Sequence, residues 1–139
     1  MTNPVPVQPV GVDHLVFWVD DLAKAKEFYC GVLGCLPGFE YPDIAMTHLW
    51  FGSVLIGLWD ASDPRAAYAA QQRTRGTNMD HVGLAVGPFD PDEMRAHLLA
   101  NNVHIEKELT QGGARGIGHS IYIHDPFGNR IELKGPPQY

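Results

Sequence analysis

The chain has 139 residues, with 10 Lys and Arg against 16 Asp and Glu for a formal charge of −6, and 45% of its residues are hydrophobic. That length supports one domain with a substantial core, and that hydrophobic fraction excludes a disordered chain. The acidic balance without a basic stripe argues against nucleic acid and anionic membrane as partners. The longest uncharged stretch beyond the N-terminal tail, Ile44 to Trp59, is 16 residues long and is interrupted by Thr47, His48 and Ser53. A membrane-spanning helix needs about 20 apolar residues. The opening MTNPVPVQPVGV lacks the basic start and apolar centre of a secretory signal. Cys30 and Cys35 form neither a CxxC pair nor a disulfide framework, so a cytoplasmic protein with reduced thiols is expected.

In chain order, Asp13–Val19 reads as a strand rich in Val, Phe and Trp. Asp20 or Asp21 caps a helix over Leu22–Leu33, which Gly34 terminates. Short strands follow near Leu36–Glu40, Ala45–Phe51 and Val54–Trp59. Residues 61–77 form a linker with a short helix in Pro64–Arg73. The second half reads as strand Asp80–Val86, helix Pro91–Asn101, then strands near His104–Leu109, Ser120–His124 and Arg130–Lys134, with Gly135-Pro136-Pro137 as a stop.

The halves echo one another. Val12-Asp13-His14-Leu15-Val16-Phe17-Trp18-Val19 recurs 67 residues on as Met79-Asp80-His81-Val82-Gly83-Leu84-Ala85-Val86. Phe51-Gly52-Ser53 before Ile56-Gly57-Leu58 recurs as Phe127-Gly128-Asn129 before Ile131-Glu132-Leu133. The expected organisation is one domain, residues 1–139, built from module 11–60, linker 61–77 and module 78–134. Its fold class is α+β, two tandem βαβββ modules.

Alternation places Leu15, Phe17 and Val19 under the helix and His14, Val16 and Trp18 on the opposite face. In the second module His81 shares that opposite face with Arg130, Glu132 and Lys134. Two histidines and a carboxylate suit Fe(II), Mn(II), Ni(II), Co(II) or Zn(II), and three protein ligands leave positions open for substrate. Ordinary packed or exposed side chains remain the alternative; repetition of the Asp-His pair weighs for a metal site. Tyr122 shares a face with Ser120 and His124, from which its phenol can stabilise charge on a bound oxygen. His48 alternates with Met46 and Trp50 and is a candidate acid or base. Trp18 and Trp50 are candidate substrate contacts. The glycine-rich stretch 112–118 reads as a mobile cover, because it lacks the GK[ST] ending of a phosphate cradle.

The duplicated plan resembles the vicinal oxygen chelate superfamily, which includes glyoxalase I, extradiol dioxygenases, fosfomycin-resistance proteins and bleomycin-resistance proteins. The likeness spans about residues 11–134. It is carried by Gly11-Val12-Asp13-His14-Leu15, by Asp21-Leu22 with Phe28-Tyr29 and Leu33-Gly34, and above all by Asp125-Pro126-Phe127-Gly128-Asn129-Arg130-Ile131-Glu132-Leu133. The resemblance implies curved mixed sheets forming a metal-binding cup, with His14, His81 and Glu132 as metal ligands. It also implies a homodimer, with the site either within one chain or shared between two. The fourth ligand of glyoxalase I falls on Gly57 or Ile56, neither of which offers a side-chain donor. The expectation is therefore a divalent-metal enzyme acting on a small molecule that chelates through vicinal oxygens. Fe(II) and extradiol-type dioxygenase chemistry are preferred, with Tyr122 and His48 as catalytic residues. A fosfomycin-resistance-like thiol transferase or a glyoxalase-like lyase is the alternative; the Ser-x-Tyr that fosfomycin-resistance members carry before the turn matches Ser120-Ile121-Tyr122, and that likeness implies Ser120 as a further substrate contact. A metal-free drug-binding protein is the alternative of another class.

Overall fold

Val, Phe and Trp crowd the segment after Asp13, and there the computed structural model begins its first strand, β1 (His14–Val19). The structure describes residues 10–71, 76 and 79–138. The Asp21 carboxylate accepts the Lys24 amide at 3.0 Å and so caps α1 (Leu22–Lys26), which widens without a break into a π-helical stretch, Glu27–Val32. The helix expected over Leu22–Leu33 thus changes its winding midway, and the Leu33 amide donates to the Phe28 carbonyl five residues back. The wider turn lets adjacent Phe28 and Tyr29 both enter the core, at 5% and 0% exposure.

Three strands complete the first sheet: β2 (Leu36–Tyr41), β3 (Met46–Phe51) and β4 (Val54–Asp60). Their order is β1-β4-β3-β2, with β1 and β4 parallel and the other pairs antiparallel. A 3₁₀ turn at Pro64–Ala66 leads into α2 (Ala67–Ala70), the described part of the helix expected in the linker. Positions 72–75 and 77 of that linker, and position 78 at the start of the second module, lie outside the described residues. The second sheet repeats the first with β5 (Val82–Ala85), β6 (Ile105–Gln111), β7 (Gly118–His124) and β8 (Arg130–Pro137) in the order β5-β8-β7-β6. Between β5 and β6, α3 (Pro91–Ala100) starts where the Asp90 carboxylate accepts the Asp92 and Glu93 amides, with Pro91 in its first turn. β8 continues through the prolines expected to stop it. Its pairing with β5 ends at Lys134, so Pro136 and Pro137 forfeit no ladder partner on that side.

One core joins the modules, with Phe17, Tyr29 and Leu58 from the first packed in the same cluster as Leu84, Leu98 and Ile131 from the second. Directional contacts fix the seam. The Tyr29 hydroxyl donates to Asp125 Oδ2 at 2.7 Å, His97 Nε2 donates to the Val32 carbonyl at 2.9 Å, and Asn129 Nδ2 donates to the Trp18 carbonyl at 3.4 Å. Among the described residues no strand of one sheet pairs with the other, and the sheets are not closed into a barrel. No helix of the described residues is long and apolar enough to cross a membrane.

Candidate metal centre

Glu132 lies on β8 between two neighbours, with Gly83 of β5 opposite it on one side and Tyr122 of β7 on the other. The absence of a side chain at Gly83 keeps one flank open; a Cβ there would stand 3.9 Å from Glu132 Oε1. The carboxylate is 7% exposed and fully engaged. Its Oε2 accepts from Ser120 Oγ at 2.6 Å and Gln111 Nε2 at 2.8 Å, while its Oε1 accepts from the Tyr122 hydroxyl at 3.1 Å and lies 3.1 Å from His81 Nε2. Burial pushes the Glu132 carboxyl up, but the hydrogen bonds from Ser120, Gln111, Tyr122 and His81 together outweigh it and hold the group below its ordinary value. Gln111 also donates to the Tyr122 oxygen at 2.7 Å, fixing the phenol against the carboxylate. Gln111 escaped the sequence reading, because it stands on β6, two strands from Glu132.

His81, immediately before β5, sits between two carboxylates: Nδ1 lies 2.7 Å from Asp80 Oδ2, and Nε2 faces Glu132. A neutral imidazole has one proton for these two contacts. With Nδ1–H given to Asp80, the Nε2 lone pair faces a carboxylate oxygen, an arrangement a cation completes. Nε2 and Oε1 stand 3.1 Å apart, near enough for both to ligate one divalent ion at about 2.1 Å. The Asp-His hydrogen bond is the outer support typical of a ligating histidine. The donors present therefore fit a divalent metal.

The first module carries the corresponding positions with different side chains. Gly57 pairs with Val16 and His48 as Glu132 pairs with Gly83 and Tyr122. Gly57 is thus the counterpart of Glu132, and His48 that of Tyr122. A Cβ on Gly57 would lie 3.1 Å from Val16 Cγ2 and 3.3 Å from His48 Cδ2, so the ring of His48 packs against the position from which Glu132 projects in the other module. His14 repeats the outer support, with Nδ1 2.7 Å from Asp13 Oδ1, and its ring centre is 6.2 Å from that of His48. Burial, followed by the charge of His14, lowers the His48 imidazole below its ordinary value, and its buried Nδ1 has no hydrogen-bond partner among the described residues. Tyr41 and Phe39 approach His48 with ring centres at 4.9 and 6.4 Å, and Phe39 also reaches Trp50 at 6.2 Å. These two β2 aromatics escaped the sequence reading, although their i, i+2 spacing was the available signal.

The structure thus gathers His81, Glu132, Tyr122 and Ser120 on one sheet, and His14, His48 and Trp50 on the other. Among the described residues of one chain no three His, Cys, Asp or Glu side chains are placed to hold a metal. Trp18 stacks on Trp59 at 4.8 Å and lines, with Asp80, His81 and Arg130, a cleft of about 290 Å³ between the modules. The 112–118 segment, read from sequence as a mobile cover, is strapped down. Lys134 Nζ donates to the carbonyls of Gln111 and Gly118, and Arg115 Nη2 to those of Val86 and Lys134.

Comparison with known proteins bears on this geometry. The profile of the Glyoxalase/Bleomycin resistance protein/Dioxygenase superfamily matches residues 11–133. No curated protein sequence matches the chain. Among solved structures, an integron cassette protein from V. cholerae is similar at 23% identity and a TM-score of 0.70, over 94% of this chain and 98% of that one. The fosfomycin resistance protein FosX from Listeria monocytogenes is similar at 20% identity and a TM-score of 0.67, over 91% of each chain. A lactoylglutathione lyase from Agrobacterium tumefaciens is similar at 21% identity and a TM-score of 0.61, over 91% of this chain and 94% of that one. At these identities the likeness is one of fold.

Proposed function

The chain belongs to the Glyoxalase/Bleomycin resistance protein/Dioxygenase superfamily, and from that premise we propose that it is a divalent-metal enzyme whose centre is shared between two copies. The observation that carries this reading is the His81–Glu132 pair, with Nε2 and Oε1 3.1 Å apart and each ligand backed by its own hydrogen bonds. His14 has the same aspartate support but stands on the other sheet. Pairing of two chains, face to face, brings His14 and His48 of one to His81, Glu132 and Tyr122 of the other. The first sheet's face supports such pairing, because it leaves Val16, Phe39 and Tyr41 42%, 51% and 41% exposed.

A bound metal would supply Lewis acidity toward two neighbouring substrate oxygens. Around it, the residues have distinct tasks. Ser120 and Gln111 hold Glu132 Oε2, leaving Oε1 for ligation. The Tyr122 hydroxyl, released from Oε1, is placed to donate to a substrate oxygen. His48, kept neutral by burial, is placed to accept a proton. Gly57 offers no fourth ligand, which disfavours a glyoxalase site. Phe39, Tyr41 and Trp50 form an aromatic wall suited to a planar substrate. We therefore read the reaction as Fe(II)-dependent extradiol-type cleavage of a catechol.

A second reading, thiol addition of the fosfomycin-resistance kind, is favoured by the paired Ser120 and Tyr122 hydroxyls at Glu132. Anaerobic Fe(II) reconstitution followed by metal analysis and a catechol assay tests the first. One iron per site, lost in His81→Ala, with oxygen-dependent formation of a ring-cleaved product, is expected. Bound metal without catechol turnover and with thiol transfer would favour the second reading. Metal-free protein that binds a drug ligand at full affinity would defeat both.

A further inference from the structure

Arg130 opens β8 two residues before Glu132, and its guanidinium meets three partners at once. Nε and Nη2 donate to the two carboxylate oxygens of Glu106 at 2.8 and 2.6 Å. Nη1 donates to Asp80 Oδ2 at 2.6 Å, the same oxygen that lies 2.7 Å from His81 Nδ1. Cζ stands over the Tyr122 ring, 4.7 Å from its centre. A planar fork can hold an acid at either end and cover a phenol with its face, which the point charge of an ammonium cannot. The need for such a brace follows from exposure. The Asp80 side chain is 76% exposed, and an ion pair that open to water holds little by itself. The first module shows the unbraced form. The pairing that sets Gly57 in the place of Glu132 makes Leu55 the counterpart of Arg130, and among the described residues no lysine or arginine pairs with Asp13. The two Asp-His pairs, alike in sequence, differ in what holds the aspartate.

We propose that Arg130 is a positioning residue of the centre. Through Asp80 it fixes the His81 ring with Nε2 toward Glu132 Oε1, and through its face it fixes the Tyr122 ring beside them. Glu106 belongs to the same device, because its two oxygens aim the fork. The inference deepens the proposed function and rests on it for what the two rings serve. The brace itself needs no metal, since every contact in it is between side chains of this chain.

The test follows the imidazole N–H groups of His81 and His14 by nitrogen-15 NMR in the full-length, metal-free protein. In the wild type the His81 Nδ1–H is expected to exchange with water about tenfold more slowly than that of His14, its unbraced counterpart. In Arg130→Met and in Arg130→Lys that protection falls to the His14 level and the Tyr122 ring signals shift. Equal exchange at the two histidines of the wild type, or protection that survives in Arg130→Met, would overturn the inference. Full protection in Arg130→Lys would show that a positive charge suffices, and would overturn the fork as the device. Should the Arg130 variants fail to fold, Glu106→Ala, which leaves Arg130 in place but unfastens it, decides by the same loss of protection. Zn(II) affinity, read by competition with a chromophoric chelator, gives the second measurement. Arg130→Met and Asp80→Ala are each expected to weaken it about tenfold, and the double variant no further than Asp80→Ala, because the arginine acts through the aspartate. Additive losses would overturn that route. Protection of His81 without Zn(II) binding would refute the metal reading and support the brace, and Zn(II) binding with an unprotected His81 would do the reverse.

Discussion

Ser120 is a small residue with a large assigned effect. Its hydroxyl, 0% exposed, makes the shortest hydrogen bond to Glu132, 2.6 Å to Oε2. Ser120→Ala frees that oxygen to rotate, so Zn(II) or Fe(II) affinity, read by competition with a chromophoric chelator, is expected to fall about 10–100-fold. The fold is expected to persist, since the substitution opens little volume. Gly57 gives the converse case. Gly57→Ala places a methyl 3.1 Å from Val16 Cγ2 and 3.3 Å from His48 Cδ2. We expect a loss of about 1–3 kcal/mol in denaturant unfolding from this overpacking, with a shifted His48 signal in the NMR spectrum. At this scale alternation made Tyr122, Ser120 and Glu132 legible as one face. Gln111 was not legible, because its contact depends on how far β6 slides along β7, and a register shift lies between Ile105 and Lys107.

Among the elements, the turn between β7 and β8 does more than mark a family. Asp125 Oδ1 accepts the amides of Phe127 and Asn129 at 2.9 and 2.8 Å, and Gly128 takes φ +86°, a conformation costly for other residues. The other carboxylate oxygen takes Asn129 Nδ2 and the buried Tyr29 hydroxyl, so the π-helical stretch of the first module is anchored to the last hairpin of the second. Tyr29→Phe leaves this charged acceptor one donor short. Thermal or urea unfolding is expected to show a loss of about 1.5–3 kcal/mol. A second element-level effect concerns acid. The Arg130 guanidinium holds the Glu106 carboxyl at about 2, well below the usual carboxylate range. The native state therefore binds this proton less readily than the unfolded chain, whose Glu titrates near about 4.3. The resulting stabilisation is present above that value and is lost as pH falls toward 2. Glu106→Gln is expected to flatten the acid limb of the stability curve between those limits.

For the whole molecule, the proposed sharing of the centre between two chains has a direct consequence. If His14 completes a partner's His81 and Glu132, His14→Ala and Glu132→Ala variants each lack every centre. Mixing them under subunit exchange produces heterodimers in which one of two centres is intact. Metal content and activity are expected to recover partially, to about one site in four at full statistical exchange. No recovery despite exchange, shown by mass spectrometry of the mixed species, would place the centre within one chain. Sedimentation should show a dimer under assay conditions.

Periodicity and repetition settled much of this protein before any coordinates. Period-two alternation separates the core residues Phe17, Leu84 and Leu133 from His14, Gly83 and Glu132, because a strand must turn successive side chains to opposite faces. The Asp-His echo exposed the duplication, and the Asp125–Leu133 run pointed to the superfamily. Tertiary structure decided what local pattern cannot encode: that His14 lies with His48 rather than with His81, that Gln111 braces Glu132, and that Lys134 is buried against the Gln111 and Gly118 carbonyls. Each of these depends on the register of distant strands and the packing of two modules across a seam. Sequence sets which face a residue takes on its own strand; the long-range pairing of strands sets what it meets there.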